Sequence, residues 1–319
     1  MVPLSAWAGF HVALFVFLAL DLGVFHRKGR AIRLREAAIW SGVWVLLALG
    51  FAAGVYRIQG AERGLEFLTG YLIERALSLD NIFVFAVVFS FFTVPAALQH
   101  RVLFWGILGA LGFRGALIAA GAALLARFGW VNLLFGAFVL LAGVRIFFHR
   151  PEEIQVARNP VLRLARRLLP VAADYQDAAF LVRGPQAAWL VTPLLLVLLV
   201  VESADVVFAL DSIPAIFSVT RHPFIVYTSN VFAILGMRAS YFLVAALLSR
   251  LRFLSAGLAA ILVFIGLKML AEPWYRLSIG ASLLVVLLIL AATVAASLLG
   301  PAAPSTLPGD ARAARKENL

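Results

Sequence analysis

Five acids stand inside long apolar runs of this sequence: Glu74 and Asp80 in one, Glu202, Asp205 and Asp211 in another. A charged side chain at mid-bilayer costs about 2.5–3.5 kcal/mol even on insertion scales. Five without partners would cost on the order of 15 kcal/mol, as much as a domain's whole stability. They must therefore face the interior of a bundle and be balanced there. Arg114 and Arg238, each in the middle of its own apolar run, are ion-pair partners or gates for them. Two arginines leave three negative charges if all five acids ionise. Protons can neutralise the remainder, because desolvation favours the neutral acid, and so can a bound cation. A site that trades one for the other performs cation/proton exchange.

Spacing sharpens the ligand set. Glu202 and Asp205, three apart, share a helix face. Glu74 and Asp80, six apart, do not, so Glu74 reads either as a ligand or as a gate or ion-pair partner. Pro214 follows Asp211 by three, frees the carbonyl of Leu210 and predicts a kink or break there. Asn81 adds an amide oxygen beside Asp80. Ser78, Ser203, Ser212 and Asn230 are weaker oxygen donors nearby. The metal set expected is thus Asp80, Asp205, Asp211, Glu202, Glu74 and Asn81. All are hard oxygen ligands, and the chain has no cysteine, which suits Mg²⁺, Ca²⁺ or Mn²⁺ over Zn²⁺ or Cu⁺. His11 is the one histidine deep in an apolar run and reads as packing. His26, His100, His149 and His222 fall at run ends.

The elements that position these residues are membrane helices. With 63% hydrophobic and 13% charged residues over 319 positions, no water-facing fold could cover its apolar surface. Nine runs near the ~20 residues that a spanning helix needs fall at about 6–25, 37–55, 66–92, 102–125, 129–148, 190–213, 224–247, 253–271 and 278–299. The expected fold is an all-α polytopic membrane protein of about nine transmembrane helices, since lipid offers a bare backbone no partner. Seventeen Lys and Arg fall in one alternating set of loops and five in the other. The positive-inside rule then puts the N-terminus outside and the C-terminus in the cytoplasm of a bacterial inner membrane. It also explains the net charge of +11 without nucleic acid. Within the long basic loop, residues 159–169 alternate Arg163, Arg166 and Arg167 with apolar residues. That pattern predicts an amphipathic helix, either lying on an anionic leaflet or forming a solvated linker. The tail 301–319 reads as disordered.

Three motifs recur in order. Ser78-Leu79-Asp80 matches Ser203-Ala204-Asp205, Leu111-Gly112-Phe113-Arg114 matches Leu235-Gly236-Met237-Arg238, and Gly143-Val144-Arg145 matches Gly266-Leu267-Lys268, at offsets of 125, 124 and 123. Each unit holds three spans, and an odd number inverts the second, so the sequence predicts two inverted three-helix repeats. The layout is a hairpin over 1–64, repeat 1 over 65–148, a cytoplasmic loop over 149–189, repeat 2 over 190–271, a ninth span over 272–300 and the tail. Inverted repeats are a secondary-transporter architecture with the site at the midplane. No phosphate loop, zinc signature or nucleophile triad is present, so no enzyme and no resident cofactor is expected. Oligomeric state leaves no signal.

The stretch from Glu66 through Thr69-Gly70-Tyr71 and Glu74 into Ser78-Leu79-Asp80-Asn81 resembles the signature of the TerC family, named for tellurium resistance. Gln99-His100-Arg101 through Trp105-Gly106 is similar to its next block, and Glu202-Ser203-Ala204-Asp205 through Asp211-Ser212-Ile213-Pro214 to its second signature. The resemblance runs from about residue 10 to residue 300. It implies membership of a LysE-like transporter group, with manganese export as the role and lipid, a divalent ion and protons as partners. The family's functional acids map onto Glu74, Asp80, Glu202, Asp205 and Asp211. Asp177 departs from the pattern, where a glycine is expected. A membrane scaffold or insertion factor is the competing class. An oxyanion such as tellurite fits poorly, because the acids outnumber the bases.

Overall fold

A computed structural model describes residues 3–25, 34–148, 156–176, 178–184, 189–245, 253–275 and 277–299, without the side chains of residues 21–25, 80 and 245. Asp177, the tail and the loop histidines His26 and His149 lie outside the described residues.

Eleven α-helices carry the described chain: α1 (Leu4–Phe25), α2 (Leu34–Gln59), α3 (Ala61–Phe91), α4 (Ala96–Arg127), α5 (Val131–Phe148), α6 (Pro160–Leu168), α7 (Pro193–Phe217), α8 (Pro223–Leu235), α9 (Met237–Ala245), α10 (Leu254–Ala271) and α11 (Ile279–Leu299). Between α6 and α7 a small hairpin pairs β1 (Leu181–Arg183) with β2 (Trp189–Val191), so the expected all-α description gains one two-stranded element. Six helices, α2, α4, α5, α7, α10 and α11, are long and apolar enough to cross a membrane. Apolar side chains such as Phe15, Leu46, Leu141 and Leu288 stand exposed on the bundle's outside, where lipid rather than water must cover them.

Of the nine expected spans, the runs at 6–25, 66–92 and 224–247 are not among these six within the described residues, and two runs differ from expectation in form. The run at 224–247 divides at Gly236 into α8 and α9, an interruption of one residue whose backbone stays in the right-handed helical region (φ −73°, ψ −13°) while the Ser240 N–H still donates to the Gly236 carbonyl at 3.1 Å. At Pro214 the reverse holds, because α7 runs through the proline to Phe217 unbroken. The proline lies within one turn of the helix end, where few hydrogen bonds remain to be lost.

Packing explains which residues the bundle needs. A single residue, Gly60 at φ +96°, joins α2 to α3, a backbone only glycine adopts freely. The tightest crossing joins α5 to α10. A Cβ on Gly143 would stand 2.8 Å from the Val263 nitrogen, and one on Gly266 would stand 2.6 Å from the Leu140 nitrogen. Gly136 meets Met269 and Leu270, so partner numbers fall along α5 as its own rise. The two helices therefore run antiparallel. Small residues let membrane helices approach this closely.

The amphipathic stretch forms α6, with Pro160 at its first turn and the Asn159 side chain capping it by accepting from the Val161 and Leu162 amides. Its inner face, Leu162 and Ala165, is buried in the main hydrophobic cluster with Val197 and Val200 of α7. This helix is no free linker, since its inner face packs on the bundle. The Tyr175 hydroxyl donates to the Phe92 carbonyl at 2.8 Å, and the Thr192 hydroxyl to the Ala179 carbonyl at 2.8 Å.

Candidate functional site

The centre of the bundle is a charged knot tied by Arg114. Its guanidinium donates from Nε to Asp205 Oδ2 at 3.0 Å and from Nη2 to Asp205 Oδ1 at 2.9 Å. Its third nitrogen, Nη1, donates to Glu74 Oε1 and, at 3.3 Å, to Ser212 Oγ. Three helices supply these groups: α3 gives Glu74, α4 gives Arg114 and α7 gives Asp205 and Ser212. All four residues are 3% exposed or less. The planar fork of an arginine suits this task, because it binds one carboxylate with two parallel donors and still reaches a second. Ser78 Oγ donates to Glu74 Oε1 at 3.5 Å, and Asn81 Nδ2 to Asp205 Oδ1 at 3.4 Å, both long contacts.

Two carboxylates on one arginine leave one negative charge. Glu74 Oε2 is buried without a hydrogen-bond partner. Glu202, one helical turn before Asp205, adds to the imbalance. It is half-buried, its Oε2 is also without a partner, and the charge of Asp205 acts on it. Its carboxylate lies on the bare face of α4 at Gly109, in the space where any Cβ at that position would stand. Buried carboxylate oxygens without donors are rare and costly, and they are what a hard cation or a proton would seek.

The other expected site residues are dispersed. Asp211 lies six residues along α7 from Asp205, and the charge acting on it is Arg145 of α5. Ser203 is engaged away from the knot: it donates to the Val200 carbonyl at 2.8 Å and receives Asn159 Nδ2 at 3.0 Å. Asn230 of α8 is 1% exposed, with neither amide atom hydrogen-bonded. Arg238 is buried in α9. Asp80 sits on α3, and its side chain lies outside the described ones. Among the described residues no three acidic or histidine side chains converge on one point.

His11 packs, as its isolation suggests. Its ring stacks on Tyr227 at 5.5 Å, Nε2 meets the Tyr227 hydroxyl at 3.3 Å and Nδ1 meets the Trp7 carbonyl at 2.9 Å.

Sequence reasoning passed over Arg75. It follows Glu74 on α3 but turns to the broken span, donating from Nη1 to the Ala233 carbonyl at 3.2 Å and from Nη2 to Ser240 Oγ. Ser240 in turn meets Ser41 of α2 at 3.2 Å. A Cβ on Gly236 would stand 2.8 Å from Arg75 Nη1, so the glycine at the break is what admits the guanidinium. The available signal was a fifth intramembrane base, beside Arg114, Arg145, Arg238 and Lys268, with no acid at helical spacing on its own face. Asn159, just before Pro160, was legible as a helix cap, but its reach to Ser203 was not.

Residues 59–303 match the model of the integral membrane protein TerC family. The chain is 48% identical over 305 residues to the uncharacterized membrane protein STKORF319 of Myxococcus xanthus, covering 96% of this chain and 95% of that one. It is 47% identical over 296 residues to the protein of Escherichia coli named "Putative membrane-bound redox modulator Alx", covering 90% and 92%. A Rickettsia bellii membrane protein is 35% identical over 294 residues, covering 92% and 97%. No solved structure matches. With its family model spanning most of its length and its two acid-bearing signatures meeting at one buried arginine, this chain belongs to the TerC family of integral membrane proteins.

Proposed function

We propose that the chain is a secondary transporter that exports a hard divalent cation, manganese before Mg²⁺ or Ca²⁺, through the carboxylates between α3 and α7. The observation that carries this reading is the uncompensated knot: Glu74 and Asp205 share one arginine, and buried oxygens of Glu74 and Glu202 lack donors. A cation entering between the two acids would take the place of the Arg114 guanidinium, and proton uptake by the same acids would drive it out again. Asp80, Asp211, Asn81, Ser78, Ser203 and Asn230 complete the donor set of the loaded state. The reading includes nine membrane crossings in the bacterial inner membrane, the N-terminus outside and two inverted repeats. The antiparallel α5–α10 crossing supports the inversion. Its contacts are reciprocal at the repeat offset, since Gly143 meets Val263 and Gly266 meets Leu140.

A second reading has its own support. Arg114 pairs with both acids, and no three-ligand cluster stands among the described residues, as in a scaffold or stress protein held together by an ion pair. The relatives' redox name brings no thiol chemistry here, because the chain has no cysteine.

Mn²⁺ flux into proteoliposomes separates the two, comparing wild type with Asp205→Asn and Asp80→Asn and using Mg²⁺ and Ca²⁺ as competitors. Transport is expected in wild type and its loss in both folded variants. Undiminished flux in Asp205→Asn refutes the site, and absence of flux in folded wild type favours the scaffold.

A further inference from the structure

The segment between α5 and α7 presents an outer face that the central site does not use. Helix α6 carries three stripes. Leu162 and Ala165 face the bundle. Arg163, Arg166 and Arg167 are exposed, and beside them Leu164 and Leu168 stand 57% and 70% exposed. Leu164 and Leu168 are four apart, so they form one apolar line next to the arginines. The hairpin continues the theme: Trp189 is 59% exposed, with the Arg183 guanidinium 5.3 Å above its ring. Trp189 precedes the first residue of α7 by four positions, which places it where a span leaves the hydrocarbon. Over residues 156–192 the described charges are five arginines against one acid, Asp174.

We propose that this face docks on anionic phospholipid headgroups of the adjoining leaflet. Leu164, Leu168 and Trp189 enter the boundary between headgroups and acyl chains, and the arginines of α6 bind the phosphates. Water would leave two leucines and a tryptophan exposed beside a span, whereas an interface accommodates both the rings and the charges. Charge complementarity selects the occupant, because an anionic surface attracts each such arginine separately. The face is held rigid before it meets lipid. Asn159 caps α6 and also donates to Ser203 of α7, and Tyr175 anchors the segment to the α3–α4 turn. The inference is independent of which ion, if any, the bundle carries.

The test is quenching of Trp189 fluorescence by brominated lipids in metal-free vesicles. The signal is the difference between wild type and Trp189→Phe, which removes the background of the other tryptophans. Brominated phosphatidylglycerol, diluted into phosphatidylcholine, should quench far more than brominated phosphatidylcholine at equal mole fraction. The preference should fall at least about ten-fold in Arg163→Gln/Arg166→Gln/Arg167→Gln. It should also weaken in the unmutated protein as salt is raised, which covers the case of a variant that folds poorly. Equal quenching by the two lipids, or a preference unmoved by salt, overturns the proposal. So does absence of quenching by either lipid, the result for a face turned to water or covered by a second copy.

Discussion

Replacing Arg114 by methionine takes away the one cation shared by two buried carboxylates. Glu74 and Asp205 are 0% and 3% exposed, so water cannot replace what the guanidinium supplied. Breaking a buried ion pair by removing one partner costs about 3–5 kcal/mol. The upper half of that range is expected here, because Arg114 serves two acids and one serine hydroxyl. Removing the charges together with the cation should recover most of the loss, since an apolar or neutral replacement of a whole buried pair is often neutral or better. Glu74→Gln/Arg114→Met/Asp205→Asn should therefore unfold close to wild type in urea, followed in detergent by tryptophan fluorescence. On the exchange reading, Mn²⁺ no longer competes with a guanidinium in Arg114→Met. Saturating metal, at a hundred times its Kd, should return about 2.7 kcal/mol to that variant and less to wild type. An Arg114→Met protein as stable as the triple variant would refute the charge argument. One that Mn²⁺ stabilises no more than wild type would refute the exchange of arginine for metal.

Leucine at Gly143 or Gly266 should cost more than the roughly 1–3 kcal/mol of ordinary overpacking, because the colliding atoms are backbone; Gly112→Leu, with open space around it, should stay within about 0.5 kcal/mol, and denaturant titrations compare them. Arg75→Met should lose about 1.5–3 kcal/mol of charged hydrogen bonding, with hydrogen exchange at residues 233–240 rising before the rest of the bundle. Burial raises the Tyr175 phenol above its ordinary value of 10. The stability it contributes is thus complete below about pH 10 and is lost as pH rises through the higher folded value. Tyr175→Phe should lose about 1 kcal/mol at neutral pH and show no alkaline loosening of the segment by hydrogen exchange.

The membrane class and most helix positions were legible because hydrocarbon imposes one requirement on every residue of a span. The long helices stand within a few residues of the apolar runs. The central knot was legible in membership but not in arrangement. Cost alone says that the five acids must be balanced in the interior, with Arg114 and Arg238 as candidates, whereas nothing in the spacing says that Glu74 and Asp205 share Arg114, that Glu202 turns toward Gly109 or that Ser203 turns to Asn159. Those choices depend on which helix face meets which neighbour. The break at Gly236 was hidden for a related reason. Leu111-Gly112 and Leu235-Gly236 are alike in sequence, yet only the second has an arginine of α3 packed against it. Pro214 misled in the opposite sense, since its effect depends on how much helix follows it.

That difference between the two glycines has an energetic meaning. An inverted pair of identical halves would possess two conformations related by the two-fold axis, of equal free energy and with no resting preference. The repeat offset carries Arg75 onto Val200, which has nothing to donate. A clamp of about 1.5–3 kcal/mol on one half alone lifts the degeneracy and populates one conformation roughly ten- to a hundred-fold over the other. On the proposed inverted-repeat reading, the duplication would supply the two shapes, and one unduplicated arginine would bias which of them the protein occupies at rest.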